Sequence, residues 1–154
     1  MIEQVKNFFG NYLLMSAMAS WFGAQIVKVF TGMFKERKFD LLTLLFSTGG
    51  MPSSHAAVVC GLATASVVLH GWGSSITAIT IVLAIIVMID ASGVRYETGK
   101  QAQIINQMIK ELFSHDKEFN TKLKELVGHT PFQVFMGAVF GVACALLLAA
   151  FMVW

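Results

Sequence analysis

Four stretches of this chain are apolar over lengths that reach, or nearly reach, the roughly 20 residues a helix needs to cross a hydrocarbon core. They run from about Tyr12 to Phe30, Pro52 to Leu69, Ser75 to Ile89 and Phe132 to Trp154. No soluble fold of 154 residues can hide that much apolar surface, so the spacing predicts an all-α integral membrane helical bundle. The composition agrees: 56% of residues are hydrophobic and 13% charged, and the mean hydropathy is +0.68. The chain is expected to form one integral membrane domain over residues 1–154. Leu41 to Phe46 is too short to span and reads as a re-entrant or interfacial piece. Glu3 and Lys6 precede a long span without a clear cleavage site, so the first span is expected to be retained.

Charge fixes an expected orientation. Lys35, Arg37 and Lys38 lie between the first two spans, and Arg95, Lys100, Lys110, Lys117, Lys122 and Lys124 lie between the last two. Four crossings put both loops on one side, which the positive-inside rule makes cytoplasmic, with both termini outside and the cell membrane as the expected location. The net charge of +2 and the scattered basic residues argue against nucleic acid as a partner. Between the last two spans, about Thr98 to Phe113 places Ala102, Ile105, Ile109 and Leu112 on one stripe, the pattern of a cytoplasmic amphipathic helix lying on the membrane or the bundle. Lys100, Gln101 and Asn106 fall to its polar face, and Ser114 to Glu125 reads as a solvated connector. Trp72 and Trp154 stand where interface anchors belong. Gly137 and Gly141 have GxxxG spacing, which offers a close-packing face for a homo-oligomer. Cys60 and Cys144, both in apolar runs, read as small buried hydrophobes.

The orientation brings three polar groups to one membrane face: the turn from Gly49 to His55, the segment from Asp90 to Arg95, and Gly128-His129 before the last span. Polar groups at membrane depth are costly and line a cavity or a path. The first of them, Gly49-Gly50-Met51-Pro52-Ser53-Ser54-His55, brings two hydroxyls and a histidine to a helix N-terminus, whose free N–H groups bind phosphate readily. Pro52 is expected at the first helical position; capping alone also accounts for these residues. At the last span, Thr130, Pro131 and Gln133 have the spacing of a capping box. That leaves His129 without a structural task. Of two histidines at two helix entrances, one can attack phosphorus while the other protonates the leaving oxygen. Metal binding is the competing use, but there is no HxxxH, HExxH or carboxylate cluster with ligand spacing, so neither metal nor cofactor is expected. Asp90 can orient a histidine or hold Arg95, and Arg95 can serve a phosphoryl group or pair with Asp90 or Glu97.

These residues carry a resemblance. PSSH before an apolar helix is similar to the PSGH motif of the type 2 phosphatidic acid phosphatase and vanadium haloperoxidase superfamily, and HTPFQVFMG resembles its later HxxxD motif. More closely, GGMPSSHAAVV, VMIDASGVRYETGKQAQIINQM and KLKELVGHTPFQVFMGAVFG resemble the divergent branch of that superfamily, over about Asn11 to Val142. The resemblance implies a metal-independent membrane phosphatase acting on a phosphorylated lipid, either a phospholipid or an isoprenoid phosphate. In it His129 matches the nucleophile, His55 the general acid, and Ser53 with the N–H groups after it the phosphate cradle, to which Ser54 and Lys28 add. The first family motif, KxxxxxxRP, is met only by Lys28 followed by Lys35 and Glu36. Gln133 stands where the family has the acid that orients the nucleophile, and Leu123 where it has an arginine, a charge Arg95 can replace. The same departures suit a non-catalytic lipid-phosphate binding or transport protein, and a purely structural membrane subunit is the third reading.

Overall fold

The computed structural model describes residues 2–36, 50–112, 123 and 128–153. The expected re-entrant piece at Leu41 to Phe46, Trp154, and the expected connector at Ser114 to Glu125 apart from Leu123 lie outside these residues. The described residues are all-helical: α1 (Ile2–Phe9), α2 (Tyr12–Glu36), α3 (Ser54–His70), α4 (Ser75–Ser92), α5 (Val94–Leu112) and α6 (Pro131–Met152). The apolar part of α2, together with α4 and α6, is long enough to cross a membrane, and α3 is a shorter apolar helix. The fold class expected from the apolar runs is therefore the one observed. α1 was not visible as a helix in the sequence, because eight residues are too few to show a period.

The short helix is the central one. α3 packs against α2, α4 and α6, and most extensively against α6. At 17 residues it rises about 26 Å, less than the roughly 30 Å hydrocarbon core. Pro52, Ser53 and Ser54 are buried, so its N-terminus lies within the bundle. Pro52 is not the first helical residue. The cap is Ser53, with extended backbone and a side chain that accepts from the Ala56 N–H, and Pro52 precedes it after a cis Met51–Pro52 bond.

Lipid removes the hydrophobic drive between helices, so close packing of small residues has to hold them together. The buried face of α2 is accordingly Tyr12, Ser16, Ser20, Ala24 and Lys28, one residue every turn, while Phe22, Ile26 and Phe30 face outward. The Tyr12 hydroxyl donates to the Ala145 carbonyl at 2.8 Å, and the Ser20 hydroxyl donates to the Ser16 carbonyl at 2.7 Å. Ser66 and Thr77 share a hydrogen bond between α3 and α4. Gly137 and Gly141 lie directly against the α3 backbone: a Cβ on the first would overlap the Ser53 carbonyl, and on the second that of Ala57. These two glycines are thus used within the chain, not on a second copy. Cys60 is buried beside Met88, and Cys144 is half-buried.

α5 begins four residues earlier than its apolar stripe suggested, separated from α4 by Gly93 alone. Ala102 is buried, whereas Ile105 and Leu112 are exposed. Asn106, expected only on the polar face, donates to the Leu123 carbonyl at 2.8 Å and accepts from its N–H at 2.9 Å.

The α3–α6 contact gives a direct test. Gly141→Ala is expected to lower stability by about 1–3 kcal/mol, the usual result of overpacking. Gly73→Ala, where an added methyl meets nothing within 4 Å, should stay within about 0.5 kcal/mol of the parent. Thermal unfolding in detergent compares the two.

Candidate functional site

Two backbone hydrogen bonds and a capping box assemble one end of the bundle. The Ser53 N–H donates to the Gln133 carbonyl at 3.1 Å, joining the start of α3 to the first turn of α6. The His129 N–H donates to the Ala91 carbonyl at 3.1 Å, docking the loop before α6 on the end of α4. The Thr130 N–H donates to Oε1 of Gln133 at 2.9 Å, while the Gln133 N–H donates to the Thr130 hydroxyl, which completes the capping box expected from the sequence. Gly128 completes the docking, because any Cβ there would overlap the backbone of Arg95 and Tyr96.

This framework brings His55 and His129 together, with ring centres 5.9 Å apart and planes tilted by 59°. Their surroundings differ. His55 lies exposed on the first turn of α3, whereas His129 is only 2% exposed. Neither ring nitrogen of His129 has a hydrogen-bond partner among the described residues. A buried imidazole without partners is costly, and polar groups left in this way call for an explanation such as a missing ligand. Burial holds its pKa down to about 4, reinforced by the positive charge of Lys28 and by His55. Weak polar attraction from the Gln133 side chain and the Gly50 backbone is outweighed. His129 is therefore a neutral imidazole at neutral pH.

Lys28 supplies the cation. It is 3% exposed, and its Nζ donates to the Ser54 hydroxyl at 3.1 Å. No carboxylate forms an ion pair with it among the described residues. The Lys28 stem lies beside Gly50, whose φ of +94° turns the chain into Met51. Thr31 fixes that turn to α2 by donating to the Met51 carbonyl at 3.0 Å. The N–H groups of Ser54 and His55 open α3 and have no acceptor within the helix. Lys28, Ser53, Ser54, His55, His129 and Gln133 are thus gathered at one place. Arg95 stands at its edge: its Nε donates to Oδ2 of Asp90, and both side chains are about half exposed. Of the two roles open to Asp90, holding Arg95 is the one observed. Among the described residues no group of three His, Cys, Asp or Glu side chains is placed to hold a metal ion.

Sequence reasoning missed Ala91 and Thr31, and the docking contact made by Gly128, because these act through backbone contacts that no residue type announces. Ser16, Ser20 and Gln25 were missed because polar residues inside an apolar run give no outward sign of sharing a face.

The Divergent PAP2 family matches residues 9–144 of this chain. A Bacillus subtilis (strain 168) protein named Uncharacterized membrane protein YuiD is 40% identical over 152 residues, covering 92% of this chain and 96% of its own length. No solved structure matches. The chain belongs to the Divergent PAP2 family and is a phosphatase-related membrane protein.

The neutral His129 predicts an acid-sensitive fold. Its folded pKa, about 4, lies below the roughly 6.5 of an unfolded histidine, so between these values the unfolded chain binds more protons. The contribution of this group is fully present above about pH 6.5 and is lost as pH falls towards 4. Thermal unfolding of ligand-free protein in detergent should show that decline, and His129→Gln should flatten it.

Proposed function

We propose that this protein removes phosphate from a lipid phosphate, either a phospholipid or an isoprenoid phosphate, by a metal-independent route through a phosphohistidine. The observation that carries the reading is the buried Lys28, which has no carboxylate partner among the described residues and lies against the N-terminus of α3 beside the unpartnered His129. An ammonium in the interior of a membrane protein is stabilised by an anion placed against it. The same place offers the free N–H groups of a helix N-terminus and the Ser54 hydroxyl, which suit phosphoryl oxygens.

His129 attacks phosphorus, forming a P–N bond as the P–O bond to the lipid breaks. The departing oxygen takes a proton from His55, whose exposed position suits a leaving group that remains towards lipid and water. Water then attacks the phosphohistidine and gives its proton to His55, releasing orthophosphate and restoring both rings. Lys28 and the α3 N–H groups offset the charge that develops on the phosphoryl oxygens. Burial keeps His129 neutral, so its lone pair is available without a carboxylate to remove a proton. The backbone N–H of His129 on the Ala91 carbonyl, and the capping box that follows, fix the chain that carries the ring. The positive-inside distribution supports a cytoplasmic position for this end of the bundle with the termini outside, and the cell membrane is the location that goes with this reading.

A second reading has its own observation. Gln133 is committed to the capping box, and Leu123 stands where the wider superfamily has an arginine. Both suit a protein that binds or moves a lipid phosphate without cleaving it.

Release of orthophosphate from phosphatidic acid and farnesyl phosphate by purified protein separates the two. Turnover that His129→Ala abolishes and His55→Ala lowers by about 10²–10⁴-fold, with vanadate inhibition weakened by Lys28→Met, is the expected result. Binding without turnover favours the second reading, and neither binding nor turnover removes both.

A further inference from the structure

Beside His55 the bundle carries a second cation. Arg95 lies in the first turn of α5, just past Gly93, and its Nε donates to Asp90 in the last turn of α4. Its position is fixed from behind, since the backbone of Arg95 and Tyr96 lies directly against Gly128 in the loop that carries His129. Lys28, Arg95 and Asp90 all lie within electrostatic reach of the His55 ring, and Arg95 acts on it most strongly of the three. The charges acting on His129 are those of Lys28 and His55.

The site therefore has two poles. The inner pole, formed by Lys28, the N-terminus of α3 and His129, is net positive. The outer pole is His55 with the Arg95–Asp90 pair, and the two charges of that pair offset each other. A phosphate held against His129 leaves the next group of its ligand near His55, 5.9 Å away between ring centres. In a phosphate monoester that next group is the alcohol carbon chain, to which a neutral pair is indifferent. In a diphosphate it is a second phosphate, which meets the Asp90 carboxylate and an arginine already engaged.

Resting on the reading of the inner pole as a phosphate site, we propose that Asp90 determines specificity by neutralising Arg95, so that the site accepts a lipid monophosphate in preference to a lipid diphosphate. Discrimination of this kind comes from a repulsive group set against the wrong ligand. Because the pair is half exposed, it shifts a preference without locking it.

The test is calorimetric binding of farnesyl phosphate and farnesyl diphosphate, which share one tail, to full-length protein in detergent micelles. Asp90→Asn keeps the shape and removes the charge, and should raise the diphosphate-to-monophosphate affinity ratio by about tenfold. Arg95→Gln should move the ratio the other way, because it leaves Asp90 unneutralised. The double variant Asp90→Asn with Arg95→Gln should lose the gain. Opposite shifts from two neighbouring substitutions are not produced by a merely structural role. A ratio unmoved by either single variant, or a gain that persists without Arg95, overturns the inference while leaving the phosphate site standing. Failure of the parent protein to bind either probe overturns both.

Discussion

Close approach of α3 and α6 is the constraint on which the rest depends. With no side chain at Gly137 or Gly141, the α3 backbone can lie against α6. That proximity lets the Ser53 N–H reach the Gln133 carbonyl and ties the start of one helix to the start of the other. Once those two helix entrances are joined, the histidines they carry have no freedom to separate. A bulky residue at position 137 would act first on the Ser53 carbonyl, and through it on the end of α3 proposed to bind phosphate. The packing that holds the bundle together in lipid is therefore the same packing that builds the site.

The bundle was legible because lipid imposes a simple rule, long apolar runs, and α2, α3, α4 and α6 obey it. The capping box at Thr130 and Gln133 was legible for a similar reason: both partners lie within one turn, so spacing alone specifies the bonds. Pro52 shows the limit of that argument. Its type suits the first turn of a helix, but Ser53 competes for the cap and wins with its hydroxyl, which leaves the proline outside. The GxxxG spacing in α6 was read correctly as a close-packing face, but spacing cannot say whether the partner is another chain or α3. The reciprocal bond between Asn106 and Leu123 was beyond reach, since it joins a side chain to a backbone 17 residues away.

Electrostatics separates the two cations of the site more sharply than sequence could. Lys28, a loose match to the first family motif, and Arg95, a replacement for the missing family arginine, were both candidates for a phosphate. In the folded chain one is enclosed with a neutral hydroxyl and no carboxylate partner among the described residues, and the other is half exposed with a carboxylate. Enclosure raises the cost of an unpaired charge and strengthens its attraction for an anion, whereas exposure and pairing reduce both. In the proposed site Lys28 is thus the group that favours an anion, and Arg95 the group whose availability depends on Asp90.

The glutamine at position 133 is better understood through its neighbours than as a missing acid. A carboxylate there would orient the histidine and stabilise its imidazolium, two tasks that need not fall to one residue. Orientation in this chain passes to the backbone: the His129 N–H is held by Ala91, Gly128 lies against α5, and the capping box fixes the chain immediately after. Stabilisation of an imidazolium is not supplied, and burial beside Lys28 works against it. An imidazole kept neutral in this way suits attack on phosphorus but not the storage of a proton. In the proposed reaction the proton is therefore handled by His55, the ring that remains exposed.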